Sequence, residues 1–470
     1  MFKKVVCIIL GLAMILSLVS CGKAENVTET ESEQLLPSYP EQKFQLSGFW
    51  APYEMTEEAF KQYKDVGFTT LAMINHSLEK DSEHQFYLGS DRTMKALELC
   101  RKTGLKAILQ YGDWLATWSE NNLDYFSETP FSQYDIYGDY KDIITGVSIV
   151  DEPSKAHYDG RYNSKAMMDD FQKVYPDAHY IVNISPRYAG GTYWNFIDYD
   201  ELVDTYEEQI MTHFDKKFIS VDCYPFPAEE IYRCTRHQDW LLGHEIIANL
   251  AKKHDAYKTA IIQSSVTNEF APTLTEGDMR LQVNVALAFG FDHIQYYCYE
   301  VPRSYNEDGT IEYMYEHCIL NQDSTPNEMY YWLQDIHKEI QSFSNVILAY
   351  DWDSIIATNP VGFSSNTDMM QLLDRTFEGA KHFEKALSSS DLAISRFTSE
   401  EYGEAYMLVN YALSDKPTNV ATITFKDCSK LAVYGGKGFD GTPKIVELDA
   451  ENKYRFEFEY GEGAFVVPMS

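Results

Sequence analysis

The sequence predicts an α/β protein: a (β/α)8 TIM barrel followed by a C-terminal antiparallel β-sandwich. Three observations predict it. Short apolar runs alternate with helical patterns eight times between Ser47 and Pro302. That stretch holds 256 residues, the usual size of such a barrel. Beyond Asp351 the period becomes strand-like. There Lys453–Tyr460 alternates strictly, with Tyr454, Phe456, Phe458 and Tyr460 on one face and Lys453, Arg455, Glu457 and Glu459 on the other. The competing arrangement is an open doubly wound sheet. No glycine-rich phosphate loop follows the first strand, which disfavours it.

The barrel strands are expected at Gly48–Ala51, Thr69–Ile74, Lys106–Tyr111, Thr145–Val150, His179–Ile184, Phe218–Cys223, Lys258–Gln263 and His293–Tyr299. Helical stretches separate them. Glu57–Gly67 spaces Phe60, Tyr63 and Val66 by three and stops at glycine. Asp91–Gly104 has an Asp cap and a Gly stop. Glu230–His254 is long and amphipathic, and Asp278–Gly290 is apolar along one side. Pro326–Tyr350 reads as an exit helix along the barrel. Sandwich strands are expected at Ala405–Tyr411, Ala421–Phe425, Lys430–Tyr434, Lys444–Leu448 and Lys453–Tyr460, with turns at Gly435-Gly436 and Asp440-Gly441.

The N-terminus is an address. Lys3 and Lys4 precede an apolar run of 14, Val5–Leu18, too short to span a bilayer comfortably and suited to a signal peptide. It ends in Leu18-Val19-Ser20-Cys21, which resembles the bacterial lipobox. The resemblance implies cleavage before Cys21 and a lipid on its sulfur, which would hold the protein to the cell membrane on its extracytoplasmic face. A plain secretory signal with a chance Cys is the alternative. The domains expected are therefore residues 1–20, signal peptide; 21–46, lipidated Cys and flexible acidic linker; 47–350, barrel with exit helix; and 351–470, β-sandwich.

Composition limits the function. Of 470 residues, 72 are acidic and 39 basic, for a net charge of −33, which argues against nucleic acid or an anionic membrane surface as a partner. The remaining cysteines are scattered, without CxxC pairs or zinc spacing to His, and read as mostly buried thiols. The many acids leave room for a structural Ca²⁺, but no calcium-loop spacing argues for one, so no metal site is assigned, and the chemistry read below needs no cofactor. The 35 Tyr, 26 Phe and 7 Trp suit stacking on sugar rings, although most must be core.

In such barrels chemistry sits at the C-terminal ends of the strands. Those ends carry Trp50; Asn75 and His76; Asp151-Glu152-Pro153; Asn183; Asp222 and Tyr224; Gln263; and Tyr297, Tyr299 and Glu300. Carboxylates, amides and aromatics so converged suit a carbohydrate. Cleaving a glycosidic bond needs a carboxylic acid to protonate the leaving oxygen and a second group to attack or to activate water. Glu152 is the expected acid. Asp151 beside it is expected to point elsewhere, toward a partner residue that supports the site. The bland alternative is that Asp151-Glu152-Pro153 only opens the next helix. Trp50, Asn75, Asp151, Asn183, Tyr224, Gln263, Tyr297 and Tyr299 are expected to bind substrate.

The runs GVSIVDEP (Gly146–Pro153), SVDCYPF (Ser220–Phe226), IIQSS (Ile261–Ser265) and PTLTEGDMRLQVNVALAFGFDHIQYYCY (Pro272–Tyr299) together resemble bacterial glycoside-hydrolase-like barrels related to clan A and to family 42 β-galactosidase catalytic domains. The resemblance covers roughly Ser47–Tyr350. It implies an acid/base Glu after the fourth strand, here Glu152, and a nucleophilic Glu ending the seventh, where this chain has Gln263. Asp222, Glu300 and Glu269 are then the candidates for the second catalytic carboxylate. Three functions follow: a surface-anchored glycoside hydrolase, a carbohydrate-binding lipoprotein that has lost catalysis, or a solute-binding lipoprotein, which would need two open lobes.

Overall fold

A computed structural model describes residues 36–73, 90–110, 131–158, 169, 172–190, 195–226, 233–266, 273–306, 308, 310–358, 377–412 and 418–469. Eight parallel strands form one sheet: β1 (Gln45–Gly48), β2 (Thr70–Ala72), β3 (Lys106–Gln110), β4 (Ile144–Asp151), β5 (His179–Ile184), β6 (Phe218–Cys223), β7 (Tyr257–Gln263) and β8 (His293–Tyr297). They run in chain order with β8 paired back onto β1. The gap between β1 and β2 is bridged by Thr69 N–H to Leu46 O at 2.9 Å and by Leu46 N–H to the Thr69 hydroxyl at 2.9 Å. The sheet is thus a nearly closed barrel.

Helices cover it: α1 (Glu57–Asp65), α2 (Asp91–Thr103), α3 (Tyr199–Tyr206), α4 (Arg233–His254), α5 (Glu276–Ala288) and α6 (Glu328–Ser342). Their ends follow local chemistry. Ser90, not Asp91, caps α2 by accepting from Thr93 N–H, and Gly104 takes the left-handed conformation (φ 72°) that stops it. Thr275 and Asp278 form a reciprocal capping box at the start of α5. The exit helix is shorter than expected. It stops at Ser342 and a separate turn, Ser344–Ile347, follows.

Alternation along β8 shows how the barrel sorts its side chains. Tyr296 faces the helical layer, meeting Phe68 and hydrogen bonding His337 of α6 at 2.8 Å. His293, on the opposite face, meets the Ser47 hydroxyl at 2.8 Å. Tyr297 shares that inward face at the mouth end.

After a short hairpin of β9 (Arg303–Tyr305) and β10 (Ile311–Tyr313), two antiparallel sheets follow. One holds β11 (Asp351–Thr358), β13 (Leu392–Ser399), β14 (Gly403–Asn410), β16 (Lys430–Tyr434), β17 (Lys444–Glu447) and β19 (Gly463–Met469) in the order β11-β13-β14-β19-β16-β17. The other holds β12 (Phe383–Ser388), β15 (Thr418–Phe425) and β18 (Lys453–Glu459) in the order β12-β15-β18. Phe456 and Phe458 of β18 pack with Leu408, Leu431 and Val466 of the facing sheet, so the strict alternation in the sequence is the half-buried face of a sandwich. β11, β12, β13 and β19 escaped the sequence reading. The barrel and sandwich lie in one compact unit, Tyr39–Ser470. Among the described residues no helix is long and apolar enough to cross a membrane.

Candidate active site

β4 delivers Asp151 and Glu152 to the C-terminal mouth. Perfect alternation would send two neighbouring side chains to opposite faces. β4 shifts register between Ser148 and Val150, and Glu152 takes φ 45°, a left-handed conformation uncommon for a non-glycine residue. Its N–H still donates to Asn183 O at 2.7 Å, which anchors the turn to β5. Both acids therefore belong to one cluster, in which Asp151 meets Asn183 of the neighbouring strand.

Asn183 on β5 organises that cluster. Its Nδ2 donates to Asp151 Oδ1 at 2.9 Å and to Asp222 Oδ1 at 3.1 Å. Its Oδ1 accepts from the Ser220 hydroxyl at 3.0 Å, which fixes the amide's orientation. Asp222 on β6, 5% exposed, also accepts from the Tyr224 hydroxyl. Tyr188, from the turn after β5, receives the Tyr224 N–H at 3.2 Å. Ser220 was not singled out in the sequence, yet it precedes Asp222 by two residues on the same strand face, which was the available signal.

Three carboxyl groups so close, with little water, cannot all ionise freely. Burial, then the charges of Asp222 and Asp151, pushes the Glu152 carboxyl up to about 9. Burial and then Asp151 push Asp222 up to about 7, against the bonds from Asn183 and Tyr224. Asp151 is also raised by burial, opposed by its bond from Asn183. At neutral pH Glu152 thus keeps a proton, the state a general acid needs.

Aromatic rings border the acids. Tyr224 and Tyr297, both half-buried, lie 5.3 Å apart between centroids, and the Tyr297 hydroxyl meets that of Tyr315 at 2.9 Å. Trp50 adjoins Tyr297 at 5.4 Å but is 5% exposed, packed with Phe49, Ala72, Ile261 and Cys298. It is a wall beneath the mouth rather than an open platform.

The other expected site residues go elsewhere. Gln263 is buried with both ends of its amide on one residue, accepting from Phe226 N–H at 3.1 Å and donating to Phe226 O at 3.3 Å. It braces the loop after β6. Glu300 is buried, accepts the Tyr53 N–H and a bond from Ser324, and has Arg303 and Arg92 as its charge partners. Arg303 lies over the Tyr53 ring, 3.1 Å from its centroid. Tyr299 turns into the helical layer, edge-on to Tyr63 of α1 at 4.8 Å. A Cβ on Gly48 would sit 2.8 Å from its Cβ, so β1 passes this ring only as glycine. Asn75, His76, Glu269 and Cys21 lie outside the described residues. Among the described residues no group of three or more His, Cys, Asp or Glu side chains is arranged to hold a metal ion, and the described cysteines are free thiols, with Cys298 and Cys318 sulfurs 3.4 Å apart.

The fold is similar to that of a family 39 glycoside hydrolase from the gut symbiont Bacteroides cellulosilyticus, with a TM-score of 0.51 and 12% identity, over 92% of this chain and 83% of that one. Weaker similarity extends to a family 5 glycoside hydrolase from Bacteroides vulgatus, with a TM-score of 0.43 and 11% identity over 91% and 89% of the two chains. It extends also to a β-galactosidase from Halorubrum lacusprofundi, with a TM-score of 0.47 and 15% identity over 66% and 59%. No protein-family model and no curated protein matches the chain. At such identities the likeness establishes the fold, and the narrower link to family 42 is not confirmed.

Proposed function

We propose that this protein is a glycoside hydrolase that cleaves O-glycosidic bonds of an oligo- or polysaccharide, with Glu152 as the general acid. One observation carries the reading. The carboxyl after β4, at the chemically active end of the barrel, is held protonated near neutrality by burial and by Asp222 and Asp151. Asp222 and Asp151, tied to one amide, present negative charge where an oxocarbenium-like sugar would develop positive charge. The half-buried rings of Tyr224 and Tyr297 supply apolar faces for the sugar. The proposal includes a lipid on Cys21 as the membrane anchor, supported by the lipobox-like Leu18-Val19-Ser20-Cys21. Metabolic labelling with a fatty acid should mark the wild type and not Cys21→Ala.

A second reading, a carbohydrate-binding protein without catalysis, is favoured by Gln263 at the position where clan A barrels carry their nucleophile. One experiment separates the two. The wild type, incubated with a mixed pool of neutral plant and host oligosaccharides, should release reducing ends, and Glu152→Gln should not. Binding without any cleavage by the wild type would leave the second reading standing.

A further inference from the structure

After the β9–β10 hairpin the chain returns to the barrel and runs beside the end of β8. Glu316 N–H donates to Val266 O at 2.9 Å and Val266 N–H to His317 O at 3.0 Å, which ties the segment to the residues after β7. Ile319 N–H donates to Cys298 O at 3.3 Å and Leu320 N–H to Tyr299 O at 3.0 Å, which ties it to the residues after β8. This pairing sets Cys318 against Cys298. Their sulfurs lie 3.4 Å apart although the residues are 20 positions apart in the chain, and both residues are 0% exposed. The neighbours belong to the candidate site. Tyr297 precedes Cys298, and its hydroxyl meets that of Tyr315 at 2.9 Å.

We propose that Cys298 and Cys318 are a disulfide-forming pair, joined in the exported protein, and that the bond staples the returning segment, with Tyr315, to the mouth. The inference rests on the Cys21 anchor of the proposed function, because such bonds persist in oxidising compartments outside the cytoplasm. The oxidant is a protein or small-molecule disulfide. As the chain folds, the Cys298 thiolate attacks one oxidant sulfur, a mixed disulfide forms, and the other oxidant sulfur leaves as a thiolate. The Cys318 thiolate then attacks the Cys298 sulfur, the bond to the oxidant breaks, and the second oxidant sulfur leaves. The cysteine sulfurs lose two electrons to the oxidant, and the two protons they shed end on its sulfurs. The order of events follows from burial. Burial, then contact with Cys318, holds the Cys298 thiol far above its ordinary value, so the closed pair is slow to react and the bond forms before the segment closes. Once closed, the same burial keeps reducing thiolates away. Tying two positions so far apart in the chain restricts the unfolded state, and the native state gains stability.

The test uses the full chain with its own leader, produced in a bacterium and solubilised from the membrane fraction, with fatty-acid labelling of Cys21 run beside it. After alkylation in denaturant without reductant, mass spectrometry of the digest should show the Cys298 and Cys318 peptides linked, and Cys100, Cys223 and Cys428 alkylated. Reductant should break the link in denaturant and leave it intact in the folded protein. Heated with reductant present, the wild type should melt ~3 °C or more below its value without it. Cys318→Ala should melt at one temperature in both. Alkylation of both cysteines, or Cys298 linked elsewhere, in a chain whose Cys21 carries the fatty acid would overturn the inference and leave the anchor and the glycosidase reading intact. A chain without the fatty acid would remove the anchor. Its pairing is then read after reduction in denaturant and refolding in a buffer of reduced and oxidised glutathione, where a Cys298–Cys318 link upholds the inference and two alkylated cysteines overturn it.

Discussion

At Glu152 a backbone conformation and an ionisation state serve the same end. The left-handed φ keeps the side chain beside Asp151, and the crowding of acids that results keeps its proton on. The arrangement carries a stability cost with a definite sign. Because the folded carboxyl titrates near 9, the native state holds a proton that the unfolded chain releases above the ordinary carboxylate range. That group therefore favours the native state fully below about pH 4 and loses the contribution as pH rises toward 9. Glu152→Gln has no proton to lose. Its melting temperature should match the wild type near pH 4 and exceed it at pH 8–9, by about 1–3 kcal/mol of stability. A variant less stable than the wild type at pH 9 would show that the acids are not crowded as described.

At the scale of elements, Gln263 shows how one side chain can resemble a lost catalyst and serve a loop. β7 brings it to the mouth, but its amide closes a two-way bond with the Phe226 backbone, a pairing that needs a donor and an acceptor on one group. Gln263→Glu removes the donor and sets a carboxylate against the Phe226 carbonyl. It should cost about 1–3 kcal/mol in denaturant melts and give no gain in hydrolysis. A rise in kcat would mean that the position still addresses substrate.

The same contrast explains what the sequence disclosed. The eight-unit barrel was legible because apolar runs and glycine stops are local signals. Glu152, Asp222 and Asn183 were legible because strand ends in a barrel map to one mouth. What each side chain does once there was not legible. Tyr299 and Tyr297 are two residues apart and would share a face under simple alternation, yet one lines the mouth and the other packs on α1. The chain turns after β8, and no residue type announces it. β11, β12 and β13 were missed because their charged and serine-bearing faces hide the period, and β19 because GAFVVPM is a continuous apolar run with no alternation to read.

At the scale of the molecule, the sandwich is bound to the barrel through buried charge. Arg280 of α5, 5% exposed, binds Glu339 of α6 through both terminal nitrogens, at 2.6 and 3.2 Å, and Glu276 at 2.8 Å. The sandwich closes over it. Gly438 N–H donates to Glu339 at 2.6 Å, Lys437 pairs with Glu276 at 2.9 Å, and Tyr460 donates to Asp278 at 2.7 Å. Arg280→Ala strands a buried Glu339 and should destabilise by about 3–5 kcal/mol, whereas replacing Arg280 and Glu339 together by leucine should recover most of the loss. Independent melting of the two parts in the wild type would show that this seam does not couple them.

The central claim concerns a proton, and leaving-group chemistry tests it most directly. On a sugar that the wild type hydrolyses, the rates of Glu152→Gln should be compared for a glycosyl fluoride, whose departure needs no protonation, and for a methyl glycoside, whose departure does. The account predicts a near wild-type kcat/KM for the fluoride, which reports departure of the leaving group, and a loss of ~100-fold or more in kcat/KM on the methyl glycoside. Equal losses on both, or none on either, would contradict it.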